Sequence, residues 1–393
     1  MNPRSGFPAC RVGIDGRAFS SPARGVRRYA WELTRALLDE VPGLRIVALG
    51  LEKQELAPPG VELRSGRFTP SSNFGWSLVG LPWTAAGAEL DLFHAPAYTA
   101  PLLGLRPRVV TVHDVSYARA PQDYPYKLDP LRQWFYRNSA TRADAVITDS
   151  EFSKSEIVSA YGIPDDRISV VPLGVGPPFR PADETDRRAP LRAAIAPRYA
   201  LHVGDLHVRR RPAFLLEAVL RARLLHTTLS DLQLVFVGRD HGCADVLMRQ
   251  AAAAGAPDAL QVLGIVPDPM LILLVQRAAA FLYASRYEGF GLPPLEAMAC
   301  GTPVVALQSA SIGEVVGTGG LLLHQSATAN EFAEALGRVL LVPAAAAELR
   351  GAGLARAAQL TWQRTARKTL EVYESVMRGH GETRSPPAGH PRV

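Results

Sequence analysis

Short apolar runs alternate with longer amphipathic segments along the chain, and this alternation occurs twice. The pattern is typical of a parallel β-sheet whose strands are joined by crossover helices. The chain has 393 residues, more than a single hydrophobic core usually supports. The sequence therefore predicts an α/β protein with two doubly wound domains, in which ligands bind beyond the carboxyl ends of the strands.

The first alternation predicts six strands and two helices. The strands are expected at Arg11–Ile14, Arg45–Leu49, Leu90–His94, Val109–His113, Ala145–Asp149 and Ser169–Pro172. The helices are expected over Arg28–Leu38 and after Ser150, whose side chain fits an N-cap.

The second alternation predicts five strands and five helices. The strands are expected at Tyr199–Gly204, Leu232–Gly238, Gln261–Leu263, Ala280–Tyr283 and Pro303–Ala306. The helices are expected over Pro212–Leu225, Ala244–Ala254, Pro269–Ala279, Pro293–Cys300 and Thr328–Leu340.

Residues 174–190 separate the two alternations and are rich in proline, glycine and charge, which indicates an exposed linker. We expect a first domain over 1–176, a linker over 177–192, a second domain over 193–360, a last helix over 361–378 and a disordered tail over 379–393.

Charge and cysteine content limit the partners and the cell compartment that the sequence predicts. The formal net charge of +6 comes almost entirely from arginine, and no aromatic–basic interleaving accompanies it, so no nucleic-acid partner is expected. Three widely spaced cysteines predict neither a disulfide framework nor a zinc site and fit the cytoplasm. The amino terminus lacks the apolar core of a signal peptide, and no apolar run is long enough to span a bilayer. These two observations are compatible with a protein located at the inner face of a membrane.

The stretch SRYEGFGLPPLEAMACGTPVV, residues 285–305, is the most informative segment. Glu288 falls in the loop after a predicted strand, and Gly289 and Gly291 on either side of Phe290 let the backbone approach a ligand closely.

A helix is expected to start at Pro293–Pro294, with Glu296 in its first turn. Free backbone N–H groups at a helix start favour anions, whereas carboxylates favour hydroxyl donors. The combination suits a sugar or a ribose next to a phosphate. The alternative is that Glu296 only complements the helix dipole and Glu288 is a solvated loop residue.

The same stretch resembles the EX7E segment of retaining glycosyltransferases of family 4, which have the GT-B fold. Further segments follow the order of that family, including GVRRYAWEL, TVHDVSY, TDSEFSKSEI, VVPLGVGPPF and LHVGDLHVRRRPAFLLEAV. The likeness covers nearly all of residues 11–377 and is strongest to the mannosyltransferase-like subgroup. It implies two Rossmann-like domains facing across a cleft, with the last helix crossing back to the first domain.

The resemblance also implies roles for individual residues of the second domain. Glu296 would bind the ribose hydroxyls, Glu288 would lie beside the donor sugar, and Val266 would join the nucleotide-binding set. Backbone N–H groups of four residues would hold sugar hydroxyls or the diphosphate: Gly289, Phe290, Gly291 and Leu292.

Arg209 and Arg210 occupy the positions where the family has an arginine and a lysine that contact the diphosphate. Arginine in place of lysine keeps the charge but changes reach and geometry. By the same resemblance His113 would lie near the donor sugar and position it rather than attack it. Asp114 is expected to be a helix-cap or supporting residue.

The first loop departs from the family at one position. Arg27, two residues after Gly25, stands where relatives usually have a second glycine. Gly25 is still expected to supply a flexible turn, with the helix start at Arg28 meeting phosphate. Arg27 could add a phosphate contact or shape the acceptor side.

The function implied is transfer of a hexosyl, mainly mannosyl, group from a nucleoside diphosphate sugar such as GDP-mannose to a hydroxyl of a glycan, lipid-linked or small-molecule acceptor. The sequence has no Asp-x-Asp, and no metal or other cofactor is expected. The alternative is a non-catalytic sugar-nucleotide sensor or subunit on the same fold.

Two aromatic segments could belong to the acceptor side. Phe68–Trp83 contains Phe74 and Trp76, and ordinary core packing is the favoured interpretation over a membrane-facing patch. The second segment, Asp123–Arg137, is expected to cover the acceptor.

Overall fold

A computed structural model describes residues 7, 9–70, 72–119, 121, 129–191 and 194–384, the last four of them by their backbone alone. The chain divides into two compact units. The first unit consists of Met1–Leu173 with Trp362–Val393, and the second unit is Gly174–Thr361.

The first unit contains a seven-stranded sheet in its described part. Its strands are β1 (Arg11–Asp15), β2 (Arg45–Leu49), β3 (Glu62–Arg64), β4 (Leu92–Ala95), β5 (Arg108–Thr111), β6 (Ala145–Thr148) and β7 (Ile168–Val170). Their order is β3-β2-β1-β4-β5-β6-β7, and each pairing is parallel.

Helices pack on this sheet and bury its apolar strands. They are α1 (Arg24–Glu40), α2 (Asn73–Gly75), α3 (Leu81–Ala85), α4 (Ser116–Arg119), α5 (Pro130–Thr141) and α6 (Glu151–Tyr161), and a π-helical turn at Trp76–Gly80 joins α2 to α3. The apolar face of α1 is buried through Tyr29, Leu33, Ala36 and Leu37. Ser150 caps α6 by accepting a hydrogen bond from the Ser153 N–H, as expected.

The second unit contains a six-stranded parallel sheet in its described part. Its strands are β8 (Tyr199–Val203), β9 (Gln233–Val237), β10 (Leu260–Val262), β11 (Ala280–Tyr283), β12 (Val304–Gln308) and β13 (Leu321–His324), in the order β10-β9-β8-β11-β12-β13. Every residue of β8, β9 and β11 is buried, as expected of central parallel strands covered on both faces.

The helices of the second unit flank this sheet. They are α7 (Glu184–Arg188), α8 (Pro212–Leu225), α9 (Ala244–Ala253), α10 (Asp268–Arg277), α11 (Leu292–Ala299), α12 (Ile312–Val316), α13 (Ala329–Leu341) and α14 (Pro343–Ala357). Phe332 and Leu336 of α13 belong to the apolar core that also contains Phe236 of β9 and Leu282 of β11.

Both sheets reverse their strand order at one place. In the first unit the chain moves outward from β1 through β2 to β3, and then returns to place β4 on the other side of β1. In the second unit β8 and β11 are related in the same way. Loops diverge from the carboxyl ends of the strands at such a switch point and leave a crevice for ligands.

Several elements differ from the sequence-based expectation. Helix α1 begins at Arg24 rather than Arg28, so Gly25 lies inside its first turn and is not a loop residue. The short edge strand β3 and the alanine-rich α14 were not predicted, because neither carries a strong apolar periodicity. The last helix, α15 (Trp362–Arg384), extends beyond the predicted end at 378, and the remainder of the predicted tail, 385–393, lies outside the described residues.

The predicted linker, 177–192, lies within the second unit, whose boundary is at Gly174. Within it, α7 begins with a capping box between Asp183 and Asp186, and Arg180 forms ion pairs with both carboxylates at 2.9 and 2.7 Å. These local bonds give an ordered turn within the segment that prolines and charges indicated to be an exposed linker.

The aromatic segment Phe68–Trp83 is only partly a core element. Trp76 is buried as favoured, but Phe68, Phe74 and Trp83 are 48%, 37% and 53% exposed, so the core interpretation is wrong for these three. Of the second aromatic segment, 123–128 lies outside the described residues, Phe135 is buried and Trp134 is exposed.

Helix α15 contacts the rest of the first unit through polar contacts as well as apolar packing. His94 of β4 is fully buried, with Nδ1 2.7 Å from Tyr373 Oη and Nε2 2.8 Å from Thr111 Oγ1. Burial, with a smaller effect of nearby His113, lowers the pKa of His94 to about 3, so the ring is neutral and has a donor and an acceptor to satisfy. Arg367 also pairs with Glu40 of α1 at 2.8 Å.

Replacing Tyr373 by phenylalanine should leave one buried nitrogen of His94 without a partner. We expect Tyr373→Phe to lower the free energy of unfolding by about 1–3 kcal/mol, measured by urea denaturation. Ser375→Ala, an exposed change on the same helix, should alter it by less than about 0.5 kcal/mol. Equal stability of the two variants would contradict this account of the contact.

Candidate functional site

Two arginines and a glutamate meet at the switch point of the second sheet. Arg209 and Arg210 follow β8, and Glu288 follows β11. Oε1 of Glu288 lies 3.5 Å from Arg209 Nη1 and 3.7 Å from Arg210 Nη2. These separations are ion-pair distances longer than normal hydrogen bonds, and Oε1 is buried with no hydrogen-bond partner among the described residues.

The backbone after β8 makes room for Arg210. Gly204 has φ +148, and a Cβ atom there would lie 1.9 Å from Arg210 Nη1. A 3-10 turn at Val208–Arg210 follows, and the carbonyl of Arg209 accepts a 2.9 Å hydrogen bond from the N–H of Arg286. This hydrogen bond connects the loop after β8 to the loop after β11.

Tyr283, which sequence reasoning did not select, contacts this cluster and the strand β8 next to it. Its Oη accepts a 3.3 Å hydrogen bond from Arg210 Nη1, and its ring stacks on His202 of β8 at 5.4 Å. Burial, with the positive charge of Arg210, lowers the pKa of His202 to about 4. The only signal in the sequence was the position of Tyr283 at the carboxyl end of a buried strand.

The electrostatics favour an ionised Glu288. Burial alone would raise the pKa of its carboxyl group, but Arg210 and Arg209 outweigh burial and hold that pKa below its usual value. The site therefore combines one buried carboxylate with two largely buried guanidinium groups, and Arg210 Nε has no hydrogen-bond partner. Such groups can bind an anion and a hydroxyl side by side.

The glycine-rich loop leads directly into α11. Gly291 has φ +108, which favours glycine, and it precedes the first residue of the helix, Leu292. The hydroxyl oxygen of Ser311 lies 2.8 Å from the carbonyl oxygens of both Glu288 and Phe290, which share its single proton. Ser311, also missed from the sequence, holds the loop so that its backbone turns into the helix start.

Glu296 lies in the second turn of α11 and not in the first, because the helix begins one residue earlier than predicted. The first turn contains no acidic residue, so Glu296 does not serve as the dipole complement considered as the alternative. Its side chain is buried on the same helix that the Gly289–Leu292 loop enters. Val266 is buried shortly before α10.

His113 of the first unit lies two residues beyond the end of β5 instead of ending the strand. Its Nδ1 lies 2.8 Å from Asp149 Oδ2 and its Nε2 lies 3.0 Å from the carbonyl oxygen of Pro96. Burial opposes the charged ring, but Asp149, with Asp114 and the carbonyl, raises the pKa of His113. Both ring nitrogens of His113 are therefore within hydrogen-bond distance of a protein oxygen atom. Asp114 accepts from Ser116 N–H and Oγ, in line with the expected capping role.

The first loop differs from the expectation for Gly25 and Arg27. Both lie in the first turn of α1, and among the described residues a Cβ built at Gly25 would meet nothing within 4 Å beyond its chain neighbours and the backbone of its own helix. The guanidinium of Arg27 donates to the carbonyl of Ser21 at 2.9 Å. Gly25 is thus an open residue of a helix start and not a flexible turn before it.

Within the described residues, no cluster of three histidine, cysteine, aspartate or glutamate side chains could hold a metal ion. No described helix is both long enough and apolar enough to cross a membrane.

Two Rossmann-like parallel-sheet units with this loop geometry define a protein of the GT-B fold. Anabaena HepE, solved in complex with UDP and glucose, superposes with a TM-score of 0.69 at 19% identity, covering 93% of this chain and 99% of HepE. At that identity the similarity concerns the fold.

Two family models match the sequence. The glycosyl transferases group 1 model matches residues 183–354, and the glycosyltransferase family 4 model matches residues 23–177. The O-antigen chain mannosyltransferase B of Escherichia coli is 29% identical over 90% of this chain and 96% of its own length. The MMP alpha-(1->4)-mannosyltransferase of Mycolicibacterium hassiacum is 32% identical over 63% of this chain and 59% of its own length.

The chain therefore belongs to the group 1 glycosyltransferases of family 4, and it is a transferase enzyme. This confirms the family expected from the motifs.

The pairing of Glu288 predicts a pH-dependent stability. Because its folded pKa is lowered, the pairing stabilises the fold above the usual value of 4.5, and the contribution is lost as pH falls through the lower folded pKa. We expect Glu288→Gln to cost about 3 kcal/mol of unfolding free energy at neutral pH, with the gap to the wild type closing below pH 4.5.

Denaturant titrations across the acid range measure this gap. Glu334→Gln, an exposed change on α13, is the matched control and should show no such gap. A gap that stays constant or widens towards acid pH would contradict the proposed ionisation of Glu288.

Proposed function

We propose that this enzyme transfers a mannosyl group from GDP-mannose, with retention of configuration, to a hydroxyl of a glycan, lipid-linked or small-molecule acceptor. The observation that carries the proposal is the cluster of Arg209, Arg210 and Glu288 at the β8/β11 switch point. Two guanidinium groups beside a carboxylate match a nucleoside diphosphate joined to a sugar.

The choice of mannose rests on the relatives. Both curated relatives named above are mannosyltransferases, and the Escherichia coli protein is matched over almost its whole length. HepE was solved with UDP and glucose, so UDP is the competing nucleotide that a binding test has to include.

Within the second unit, each side chain has a proposed task. Arg209 and Arg210 neutralise the diphosphate, and Glu296 accepts hydrogen bonds from the ribose hydroxyls. Glu288 accepts from the donor sugar once the anion engages its arginine partners. The N–H groups of Gly289–Leu292, at the start of α11, hold the sugar or the diphosphate. In the first unit, His113 orients the transferred sugar.

The reaction requires the acceptor oxygen to bond to C1 of the sugar while the bond from C1 to the diphosphate oxygen breaks. In the proposed course the acceptor attacks from the face that the diphosphate leaves, and its proton passes to the departing phosphate. The developing negative charge is stabilised by Arg209, Arg210 and the helix start. We propose that no metal ion or other cofactor takes part.

The same proposal places the enzyme in the cytoplasm. When the acceptor is lipid-linked, transfer would occur at the inner face of the membrane.

A thermal-shift comparison of GDP, UDP and ADP tests the nucleotide part. GDP at a hundredfold its dissociation constant should stabilise the protein by about 2.7 kcal/mol, and the shift should persist in EDTA. Glu296→Ala should abolish the shift, because the ribose hydroxyls lose their acceptor.

Glu334→Ala is the control for a glutamate lost from a helix of the same unit, and it should respond to GDP like the wild type. A larger response to UDP or ADP would reassign the donor. Folded protein that responds to none of the three would refute nucleotide-sugar binding.

A further inference from the structure

His113 and Asp149 follow two neighbouring strands of the first sheet. His113 lies two residues beyond β5, and Asp149 comes directly after β6, whose Ile147 pairs with Thr111 of β5. Because the strands are parallel, their carboxyl ends lie on the same edge of the sheet. The two side chains meet there, with His113 Nδ1 2.8 Å from Asp149 Oδ2.

The side chain of Asp149 makes no other hydrogen bond among the described residues. Its Oδ1 is buried without a hydrogen-bond partner there. The helix that follows, α6, is capped by Ser150, so Asp149 does not serve as its N-cap. Burying a carboxylate costs free energy that a single hydrogen bond does not fully return. Stability alone therefore does not explain this carboxylate, whereas control of the imidazole next to it does.

The two hydrogen bonds of His113 determine where protons have to lie. Nε2 is 3.0 Å from the carbonyl oxygen of Pro96, a residue that also borders a cavity of about 210 Å³ in the first unit. A carbonyl oxygen can only accept, so this bond requires a proton on Nε2. The contact between Nδ1 and Asp149 requires one more proton, on the ring or on the carboxyl group. In both arrangements Nε2 is a hydrogen-bond donor.

The same segment of chain also holds the backbone on which His113 lies. The hydroxyl of Thr148, at the end of β6, donates to the carbonyl of Val112 at 2.7 Å. The hydroxyl of Ser153, in α6, donates to the carbonyl of His113 at 3.1 Å. Residues 148–153 thus fix both the main chain and the ring of His113, and Asp149 supplies the contact to the ring.

Three further rings lie around the imidazole. The ring centres of Tyr29 in α1 and Tyr98 after β4 are 4.8 and 6.0 Å from that of His113, and both rings are steeply inclined to it. Burial raises the pKa of both tyrosines, and burial with the nearby His113 lowers the pKa of His94 in β4 to about 3. All three are neutral at pH 7, so they restrict the ring of His113 without supplying a counter-charge.

The carboxylates are therefore the groups that favour a protonated ring. Burial lowers the pKa of His113, but the charge and the hydrogen bond of Asp149 outweigh burial and raise it. Asp114 and the carbonyl of Pro96 add smaller increases. Asp149 is the carboxylate whose removal changes the ring most.

We propose that Asp149 is a positioning residue for the transfer reaction, which holds His113 in the form that donates a hydrogen bond from Nε2 to the transferred sugar. This inference rests on the proposed function, in which His113 orients that sugar. Without the carboxylate, a neutral ring can carry its single proton on either nitrogen, and only one of these tautomers donates from Nε2. A neutral donor also forms a weaker hydrogen bond than a charged one.

Nitrogen-15 NMR of the imidazole rings in the full-length protein tests the effect of Asp149 on the ring. Asp149→Asn keeps the size of the side chain but removes its negative charge, so the pKa of His113 should fall because burial meets less opposition. The His113 signal is assigned by its loss in His113→Gln. Asp166→Asn, an exposed change in the turn before β7, is the matched control and should leave the pKa of His113 unchanged.

Transfer kinetics test whether Asp149 acts through His113. GDP-mannose is the donor, and the methyl α-glycosides of mannose, glucose and galactose are the acceptors. Asp149→Asn should lower kcat/KM for GDP-mannose about 10- to 100-fold, and Asp149→Glu, which keeps the carboxylate, should lower it less. Added to His113→Gln, Asp149→Asn should change kcat/KM less than about 2-fold further, because the side chain that it positions is absent.

The proposal is overturned if His113 has the same pKa in the wild type and in Asp149→Asn, or if Asp149→Asn transfers like the wild type. It is also overturned if the loss caused by Asp149→Asn is undiminished in His113→Gln, since a purely structural role would give that result. The GDP thermal shift separates the two proposals. A wild type that does not respond to GDP counts against the proposed function, whereas the NMR titration needs no nucleotide and decides on the pair.

Discussion

The strand order of the two sheets is the constraint on which both sites depend. Once β1 lies between β2 and β4, and β8 between β9 and β11, the loops that leave these central strands must diverge. Parallel pairing places all the carboxyl ends on one edge of each sheet, so polar residues just after the strands meet there. Arg210 and Glu288 are 78 residues apart in the chain yet share an ion pair for this reason.

Burial gives these polar groups their chemical character. Glu288 stays ionised in a buried position because two guanidinium groups accompany it, whereas His202 beneath them is kept neutral. In the first unit burial lowers the pKa of His94 between its two hydroxyl partners, whereas Asp149 outweighs burial and raises the pKa of His113. The pKa values of these two histidines thus shift in opposite directions because their partners differ.

Much of the fold could be predicted from the sequence, because buried parallel strands and long amphipathic helices leave strong periodic signals. The bounds of β2, β11 and α8 agree with the prediction at both ends. The start of α1 could not be predicted, because Gly25 indicated a loop while the open first turn of a helix tolerates glycine.

The residues of the cluster in the second unit lie in two short sequence motifs and were accessible from them, but the cavity of the first unit was not. Its wall combines Asp15, Arg17, Trp76 and Pro96, which come from separate segments and form no local pattern. Trp76 was predicted as a core residue, and it is buried, yet its indole N–H is what orients Asp15. Such a site requires the tertiary arrangement, since no spacing in the sequence brings these residues together.

The most direct test of the account is a transfer reaction with GDP-mannose as donor and methyl α-mannoside, methyl α-glucoside and methyl α-galactoside as acceptors, in the presence of EDTA. Release of GDP and the anomeric configuration of the product, read by NMR, are the two quantities to measure. The account predicts one GDP released per mannoside formed and an α-linked product from the α-configured donor. A β-linked product, or binding of GDP-mannose without any transfer, would contradict it.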